Sequence, residues 1–323
     1  MKEKKGISLI VLIVTIIVMI IIAGAIIISL TETNVIDQAE VAVEKHNLSE
    51  LKSASSLAYA NWLLSDKTLD SQNYIRDELI RQKIATWDDF SKYYITETGG
   101  IEEIDQEAFI FIVDIKDVEN DSVNLWVEIY DEAGLVNWGD GSEPEDAYYQ
   151  HLHRYSKPGK YEVTVTGKLR YVDIAGVSGD GNVVTAIKSF GNLEYEQMYL
   201  WSTNNLKYIS MPNPNSFKNL YDFSMSDSSI QKVPDYMFRE SQITELTAIF
   251  NNCRNLKSIP EHLFDGLTIT NAKMTFYNCT SLTGNAPELW NNTNITVYDG
   301  SFYNCTGLSN YNDIPDSWKQ EVN

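Results

Sequence analysis

The sequence predicts a multidomain α+β protein with a long N-terminal transmembrane and stalk helix, a small β-sandwich and a C-terminal repeat solenoid. Three observations predict this fold class. A run of 24 uncharged residues extends from Ile7 to Leu30, strand-like alternation begins near residue 108, and a 26-residue repeat fills the last part of the chain. Since these regions differ so sharply in character, we expect the 323 residues to form several domains.

The apolar segment, residues 7–30, predicts one transmembrane helix. As a helix it measures about 36 Å at 1.5 Å per residue, enough to cross the roughly 30 Å hydrocarbon core of a bilayer. Basic residues precede the segment and acidic residues follow it, which predicts a single-pass membrane protein with a cytoplasmic N-terminus and an extracellular bulk. The alternative is a cleaved signal peptide ending near Ala23-Gly24-Ala25, although the apolar run exceeds the usual length of about 7–15 residues.

The residues that begin this segment, Lys4-Lys5-Gly6-Ile7-Ser8-Leu9-Ile10, resemble the processing site of type IV prepilins. The resemblance implies a leader of residues 1–6, cleavage after Gly6 by a prepilin peptidase, and methylation of Ile7. The family's usual Glu is replaced by Val11 and its usual Pro by Ile28. These departures favour a minor or tip subunit, or an unassembled anchored protein, over a major pilus subunit; an ordinary anchor preceded by Lys-Gly is the alternative.

Residues 31–100 are predicted to form a helical stalk. Apolar residues recur there at three-to-four-residue steps, so we expect the first helix to continue to about Leu64. A second amphipathic helix is expected from about Ser71 to Trp87, and Gly99-Gly100 ends the helical region.

Residues 101–168 are predicted to form the small β-sandwich. Three runs have strand character, and a WGDG turn, an HxY strand and a PGxY turn follow in that order. These motifs resemble those of polycystic-kidney-disease (PKD) type domains, which are immunoglobulin-like sandwiches. The resemblance covers about 60 residues, and its motif residues are Trp138, Asp140, Gly141, His153, Tyr155, Gly159 and Tyr161.

Two histidines in this region allow two interpretations. His151 and His153 could bind a metal together with Asp140, but two histidines at i and i+2 are a weak pattern without a third strong ligand. We therefore favour a structural histidine that closes the sandwich, and predict no metal site.

Residues 169–323 contain the repeat. Cys253, Cys279 and Cys305 are each 26 residues apart, and one unit earlier Asp227 is expected at the cysteine position. Stacked units would bury these cysteines in a column, whereas disulfide, zinc or nucleophile roles lack a partner residue. Asn252, Asn278 and Asn304 are expected to bond backbone groups at each turn. The predicted repeat core is Phe250, Cys253, Leu256, Phe276, Cys279, Leu282, Phe302, Cys305 and Leu308.

The FxNCxxL pattern with its IP step and LF pair resembles the BspA-type leucine-rich repeat of bacterial surface proteins. The resemblance implies a leucine-rich-repeat-like solenoid that is adhesive or ligand-binding and has no catalytic residues. Aromatic residues that would contact a glycan or protein ligand are Tyr277, Tyr303, Trp290 and Trp318. The alternative is that half of them belong to the repeat core.

The composition and the motifs argue against two classes of function, nucleic-acid binding and catalysis. A formal net charge of −20 disfavours nucleic acid as a partner. The sequence lacks the common catalytic and cofactor motifs, so we predict a non-enzymatic protein without cofactor. The leading hypothesis is a membrane-anchored, pilin-like surface protein with an adhesive head, whose partners are the membrane, a prepilin peptidase, other pilins and an extracellular glycan or protein. A minor pseudopilin of a secretion or DNA-uptake machine and a structural spacer are the alternatives.

Overall fold

A computed structural model describes residues 35–130, 133–174 and 183–322, with the side chains from residue 43 onward. Contacts divide the chain into two compact units between Ser53 and Ala54. The second unit contains all described residues from Ala54 onward.

Two α-helices lie in the described residues. Helix α1 comprises Val35–Leu63, and α2 comprises Ser71–Arg81. Helix α2 begins where the sequence predicts, because the carboxylate of Asp70 accepts the backbone N–H of Asn73 and caps the helix. It ends at Arg81, earlier than the expected Trp87. Short 3-10 helices occur at Asp88–Ser91, Pro214–Phe217, Leu289–Asn291, Tyr311–Asp313 and Asp316–Trp318.

Most of the regular structure in the described residues is β. The strands are β1 (Tyr93–Ile95), β2 (Ile101–Glu103), β3 (Ala108–Ile115), β4 (Val123–Ile129), β5 (Leu135–Asn137), β6 (Glu145–Asp146), β7 (Tyr149–His153), β8 (Gly159–Thr166), β9 (Leu169–Asp173), β10 (Val184–Ser189), β11 (Gln197–Tyr199), β12 (Tyr208–Ile209) and β13 (Asp222–Ser224). Strands β1 and β2 form a hairpin. The others form a six-stranded sheet, in the order β12-β10-β3-β8-β5-β6, and a five-stranded sheet, in the order β13-β11-β9-β4-β7.

The two larger sheets share one buried cluster. Phe109 and Phe111 of β3 belong to it together with Leu125 and Val127 of β4. Along β4 the side chains alternate between buried and solvent-facing, which is the period of two expected for a strand with one face in the core. The outer face of the five-stranded sheet is therefore open to solvent.

The repeats continue this five-stranded sheet. Strands β9, β11 and β13 pair in parallel. Beyond β13, a backbone N–H of each repeat turn donates to a carbonyl of the next turn. The backbone donors are Leu200, Met225, Phe250, Phe276 and Phe302, which bond to Ser224, Ile249, Thr275, Ser301 and Trp318 in that order. Beyond β13 the chain forms turns and isolated bridges rather than strands.

Left-handed backbone recurs at one position of every turn. Ser202, Asp227, Asn252, Asn278 and Asn304 have φ between 54° and 60°. Each is followed by a small buried residue, which places Ser228, and not the expected Asp227, at the cysteine position. The asparagine side chains also differ from expectation. They bond one another, with Asn278 Nδ2 donating to Asn252 Oδ1 and Asn304 Nδ2 donating to Asn278 Oδ1, both at 3.1 Å.

The predicted fold class is wrong. The regular structure of the described residues is mostly β, and the sheets do not form a separate leucine-rich-repeat-like solenoid. Helix α1 covers part of the predicted stalk, and the predicted transmembrane part of that helix lies outside the described residues. The physical reason is that the C-terminal region supplies strands to both large sheets. Strand β10 pairs with β3, and β9 pairs with β4, so repeat and sandwich share their hydrogen bonds.

The predicted single-pass membrane location, with extracellular bulk, is also contradicted. No helix in the described part of the chain combines the length and apolar composition needed to cross a bilayer. Residues 7–30, on which that prediction rested, lie outside the described residues.

Helix α2 is attached to the sheet edge by a buried cation. The Arg76 guanidinium donates to the Ile209 carbonyl at 2.8 Å and to Asn73 Oδ1. It also lies 4.9 Å from the ring centroids of both Trp87 and Tyr208. Two aromatic faces and two oxygens thus replace the water that this charge loses on burial.

Arg76→Lys should lower the free energy of unfolding by about 2 kcal/mol, because an ammonium cannot reproduce the planar fork or stack between two rings. Arg81→Lys on the same helix is the control, since Arg81 is exposed and water screens its ion pair with Glu78. Urea denaturation of the full chain measures both. Equal effects of the two substitutions would show that Arg76 does not anchor α2.

The C-terminal segment covers the last repeat turn. The Trp318 ring is buried and stacks on Tyr298, with 4.7 Å between ring centroids, while its carbonyl accepts the Phe302 N–H. Trp318→Ala should therefore cost about 3–5 kcal/mol. Trp201→Ala, at a side chain that is 39% exposed, should cost less than half as much. Thermal denaturation compares the two, and a smaller loss for Trp318 would contradict the capping role.

Candidate functional site

The outer face of the five-stranded sheet brings together side chains from four strands. The strand register aligns Trp126 with Asp173 and Tyr199, and aligns Glu128 with Tyr171 and Gln197. Asp222 of β13 stands beside Gln197. We call this group the aromatic face, and its members are Trp126, Glu128, Tyr171, Asp173, Gln197, Tyr199 and Asp222.

Three aromatic rings run diagonally across the aromatic face. The ring centroids of Trp126 and Tyr171 are 6.2 Å apart, and those of Tyr171 and Tyr199 are 5.5 Å apart. Both pairs are tilted by 54–57°, a favourable geometry for neighbouring aromatic rings. Trp126 is 41% exposed although it is a large apolar side chain at the middle of a sheet. Such exposure is typical of interaction surfaces.

Polar groups of fixed orientation surround the rings. The Tyr199 hydroxyl donates to Asp222 Oδ2, and Gln197 Nε2 donates to the Tyr199 hydroxyl at 3.2 Å. Burial, followed by the hydrogen bond to Asp222, raises the pKa of Tyr199 well above its usual range. Burial, followed by the charges of Asp173 and Glu128, raises the pKa of Tyr171 to about 12. Both phenols therefore remain protonated hydrogen-bond donors at neutral pH.

One side of the aromatic face is bordered by a second charged group. The Tyr130 hydroxyl donates to Glu196 Oε1 at 2.6 Å. Arg170 lies 3.6 Å from Glu196 and 3.8 Å from Glu128. Carboxylates outnumber this single arginine across the aromatic face and its border, so the surface is acidic.

The residues predicted from the PKD-type motifs cluster on the inner side of the sheet. Trp138 is buried, and the His153 ring stacks on it with 4.5 Å between centroids. The Tyr155 hydroxyl donates to the Trp138 carbonyl, and the Tyr155 ring stacks on Tyr161. Gly141 adopts φ of 86° in the turn, as only glycine does without strain. Gly159 pairs with Ile115 at the start of β8. These residues stabilise the sandwich.

The two histidines are held by carboxylates. His151 Nδ1 lies 3.0 Å from Glu145, and His153 Nε2 lies 2.9 Å from Asp140. Within the described residues no group of three or more metal-ligating side chains converges. Both histidine rings also lie against Trp138, so each histidine connects a carboxylate to the buried indole.

The predicted repeat-core residues are all buried. The rings of Phe250, Phe276 and Phe302 stack at 5.5–5.6 Å, and the three thiols donate to backbone carbonyls. Burial raises the pKa of Cys253 and of Cys305 to about 12, which keeps both as unreactive thiols. The predicted core residues are Phe250, Cys253, Leu256, Phe276, Cys279, Leu282, Phe302, Cys305 and Leu308, each at most 4% exposed.

Among the aromatic residues predicted for ligand contact, Tyr277, Trp290 and Tyr303 are half-buried. Tyr277 and Tyr303 stack on each other, Trp290 packs against the core, and Trp318 is buried. Sequence reasoning missed Trp126, Tyr171 and Tyr199. The alternation Leu125-Trp126-Val127-Glu128 could have marked Trp126 as outward-facing, but nothing local pairs it with the tyrosines. Gly6 and Ile7, the predicted processing residues, lie outside the described residues.

Comparisons of the chain with protein-family models, with curated proteins and with solved structures give no match. The function is therefore inferred from the geometry of this chain.

The Asp140 carboxylate generates a pH-dependent prediction. Burial acts to raise its pKa, but hydrogen bonds from Ser142 and His153 outweigh burial and lower the pKa from 3.8 to about 2. The charged form therefore stabilises the fold above about pH 4, and this stabilisation disappears as the pH falls toward 2.

Asp140→Asn should lower the free energy of unfolding by about 1–2 kcal/mol at pH 6, and the difference from wild type should shrink by pH 2. Asp316→Asn is the control, because that carboxylate is 96% exposed and its replacement should have little effect at either pH. Urea denaturation at a series of pH values measures the difference. A constant Asp140 effect between pH 6 and pH 2 would contradict the assignment.

Proposed function

We propose that this protein is a non-catalytic glycan-binding protein that acts in adhesion and holds a neutral oligosaccharide on the aromatic face. The observation that carries the proposal is the solvent-facing diagonal of the exposed Trp126 and the half-buried Tyr171 and Tyr199, with hydrogen-bonding side chains beside the rings. A surface that joins aromatic rings to fixed polar groups matches a sugar, which is apolar on its C–H faces and polar around its edge.

The chemistry of each group supports this ligand class. Pyranose C–H groups are weakly positive and pack against the negative faces of aromatic rings. Sugar hydroxyls donate to carboxylates in charge-assisted hydrogen bonds, and Glu128, Asp173 and Asp222 supply such acceptors. The Gln197 amide can both donate and accept. Because strands rather than loops position these side chains, little ordering entropy is lost on binding.

The acidity of the surface selects among glycans. Glu128, Asp173, Asp222 and Glu196 face solvent near the rings, with Arg170 as the neighbouring cation. A sialylated or sulfated sugar would bring a further negative charge to this surface and to a chain of net charge −20. We therefore specify neutral hexose or N-acetylhexosamine chains.

A binding role suits the aromatic face better than hydrolysis. None of its residues lines the cleft of about 740 Å³ that the described residues form elsewhere, so the sugar would lie on a strand surface. The pilin-like and pseudopilin hypotheses rest on residues outside the described ones and stay predictions.

A glycan array probed with the full chain tests the proposal. Wild type should bind neutral oligosaccharides and not their sialylated forms. On the best array ligand, Trp126→Ala and Tyr171→Ala should each weaken binding at least tenfold by isothermal titration calorimetry, and Trp126→Phe should retain most of it. Tyr148→Ala removes an aromatic residue that is 52% exposed, against 41% for Trp126, away from the aromatic face and is the matched control. Absence of neutral-glycan binding, or equal loss in the control, would refute the proposal.

A further inference from the structure

Strand β7 is an unprotected sheet edge. It ends the five-stranded sheet, pairs with β4 on one side, and has no strand of the described residues on the other. In an antiparallel pair about half of a strand's backbone N–H and C=O groups point away from the partner. Those groups of β7 form a template for another strand.

The other sheet ends differ from β7 in ways that block strand addition. Strand β6 has only two residues, both acidic, and β12 also has only two. Strand β13 leads into the repeat turns, where Met225 N–H bonds to the Ile249 carbonyl. Short length, charge and covering segments are the usual protections of an edge. With five residues, no carboxylate or ammonium group, and no further strand paired to it among the described residues, β7 has none of these.

Exposed apolar side chains accompany this open edge. Tyr148, Tyr149 and Leu152 are each more than half exposed. The Tyr148 and Tyr149 rings contact each other at 4.0 Å between centroids, and Tyr149 has φ of 68°. A bulky residue in left-handed conformation is a backbone outlier of the kind concentrated at functional positions. At the beginning of β7, this conformation directs the Tyr149 side chain toward solvent.

The charges near β7 indicate the chemistry of a partner. Glu143 and Asp146 are exposed just before the strand, and Glu145 orients Trp138 and His151 through its two oxygens. Arg154, just after the strand, donates to the Glu119 carbonyl at 3.1 Å. The whole chain carries a net charge of −20. A second copy would repel this edge, whereas a cationic segment would be attracted to it.

We propose that β7 accepts an extended basic peptide segment of a partner protein as an added antiparallel or parallel strand. Backbone hydrogen bonds to the free edge supply the affinity. One row of peptide side chains packs beside Leu152, and the lysines or arginines of the opposite row pass Tyr149 and the acidic approach. This interaction is separate from glycan binding, because the sheet edge and the aromatic face use different groups.

Fluorescence anisotropy with a labelled octapeptide of alternating lysine and valine tests the proposal on the full chain. The lysine peptide should bind saturably, and the matched glutamate–valine peptide should bind at least tenfold more weakly. Two further lysine–valine peptides carry N-methyl groups on alternate residues, one in each phase. The phase that removes the edge-facing donors should weaken binding at least tenfold, and the other phase should bind as the parent does.

Hydrogen exchange locates the contact, since the bound peptide should slow exchange of backbone amides within Tyr149–His153. Tyr171→Ala, on the more distant β9, should leave peptide binding unchanged, which separates this result from any failure of glycan binding. The proposal is overturned by equal binding of both methylated peptides, by absence of binding, or by a concentration-dependent dimer that the peptide does not dissociate. The last result would assign β7 to a second copy of the chain.

Discussion

A continuous ladder of backbone hydrogen bonds determines the arrangement of the second compact unit. It runs from β4 to β9, through β11 and β13, and on through the repeat turns to Trp318. Because a backbone donor or acceptor left unpaired in the interior is costly, each turn fixes the height and direction of the next. The buried phenylalanine and cysteine columns and the outward rows of the sheet follow from this single register.

Local patterns predicted individual elements but not the fold. The apolar run Phe109-Ile110-Phe111-Ile112-Val113 lies in β3, and Asp70 begins helix α2 as the periodicity from Ser71 indicates. Spacing alone identified the buried Phe and Cys positions. The fold class was wrong because sequence separation hid the pairing of β10 with β3 and of β9 with β4. A region with its own repeat period looked independent although it supplies strands to both sheets.

The candidate site was much harder to predict. The aromatic face consists of residues from β4, β9, β11 and β13, which become neighbours only through the ladder, and each residue alone resembles an ordinary strand position. The aromatic residues in the most regular part of the sequence, Tyr277 and Tyr303, attracted a binding prediction, yet their stacking serves the repeats. A sequence repeat identifies residues that every repeat unit needs for packing. The aromatic face instead lies on the strands where the repeats begin.

The left-handed asparagine column has a consequence for how such a chain varies in length. Asn252, Asn278 and Asn304 combine a backbone conformation that few residues adopt with side chains that bond the same atoms above and below. If a turn that bears this asparagine is inserted or deleted, the turns on either side of the change still bond to an asparagine. Duplication of one gene segment can therefore change the distance between the aromatic face and the Trp318 end while every existing junction stays intact.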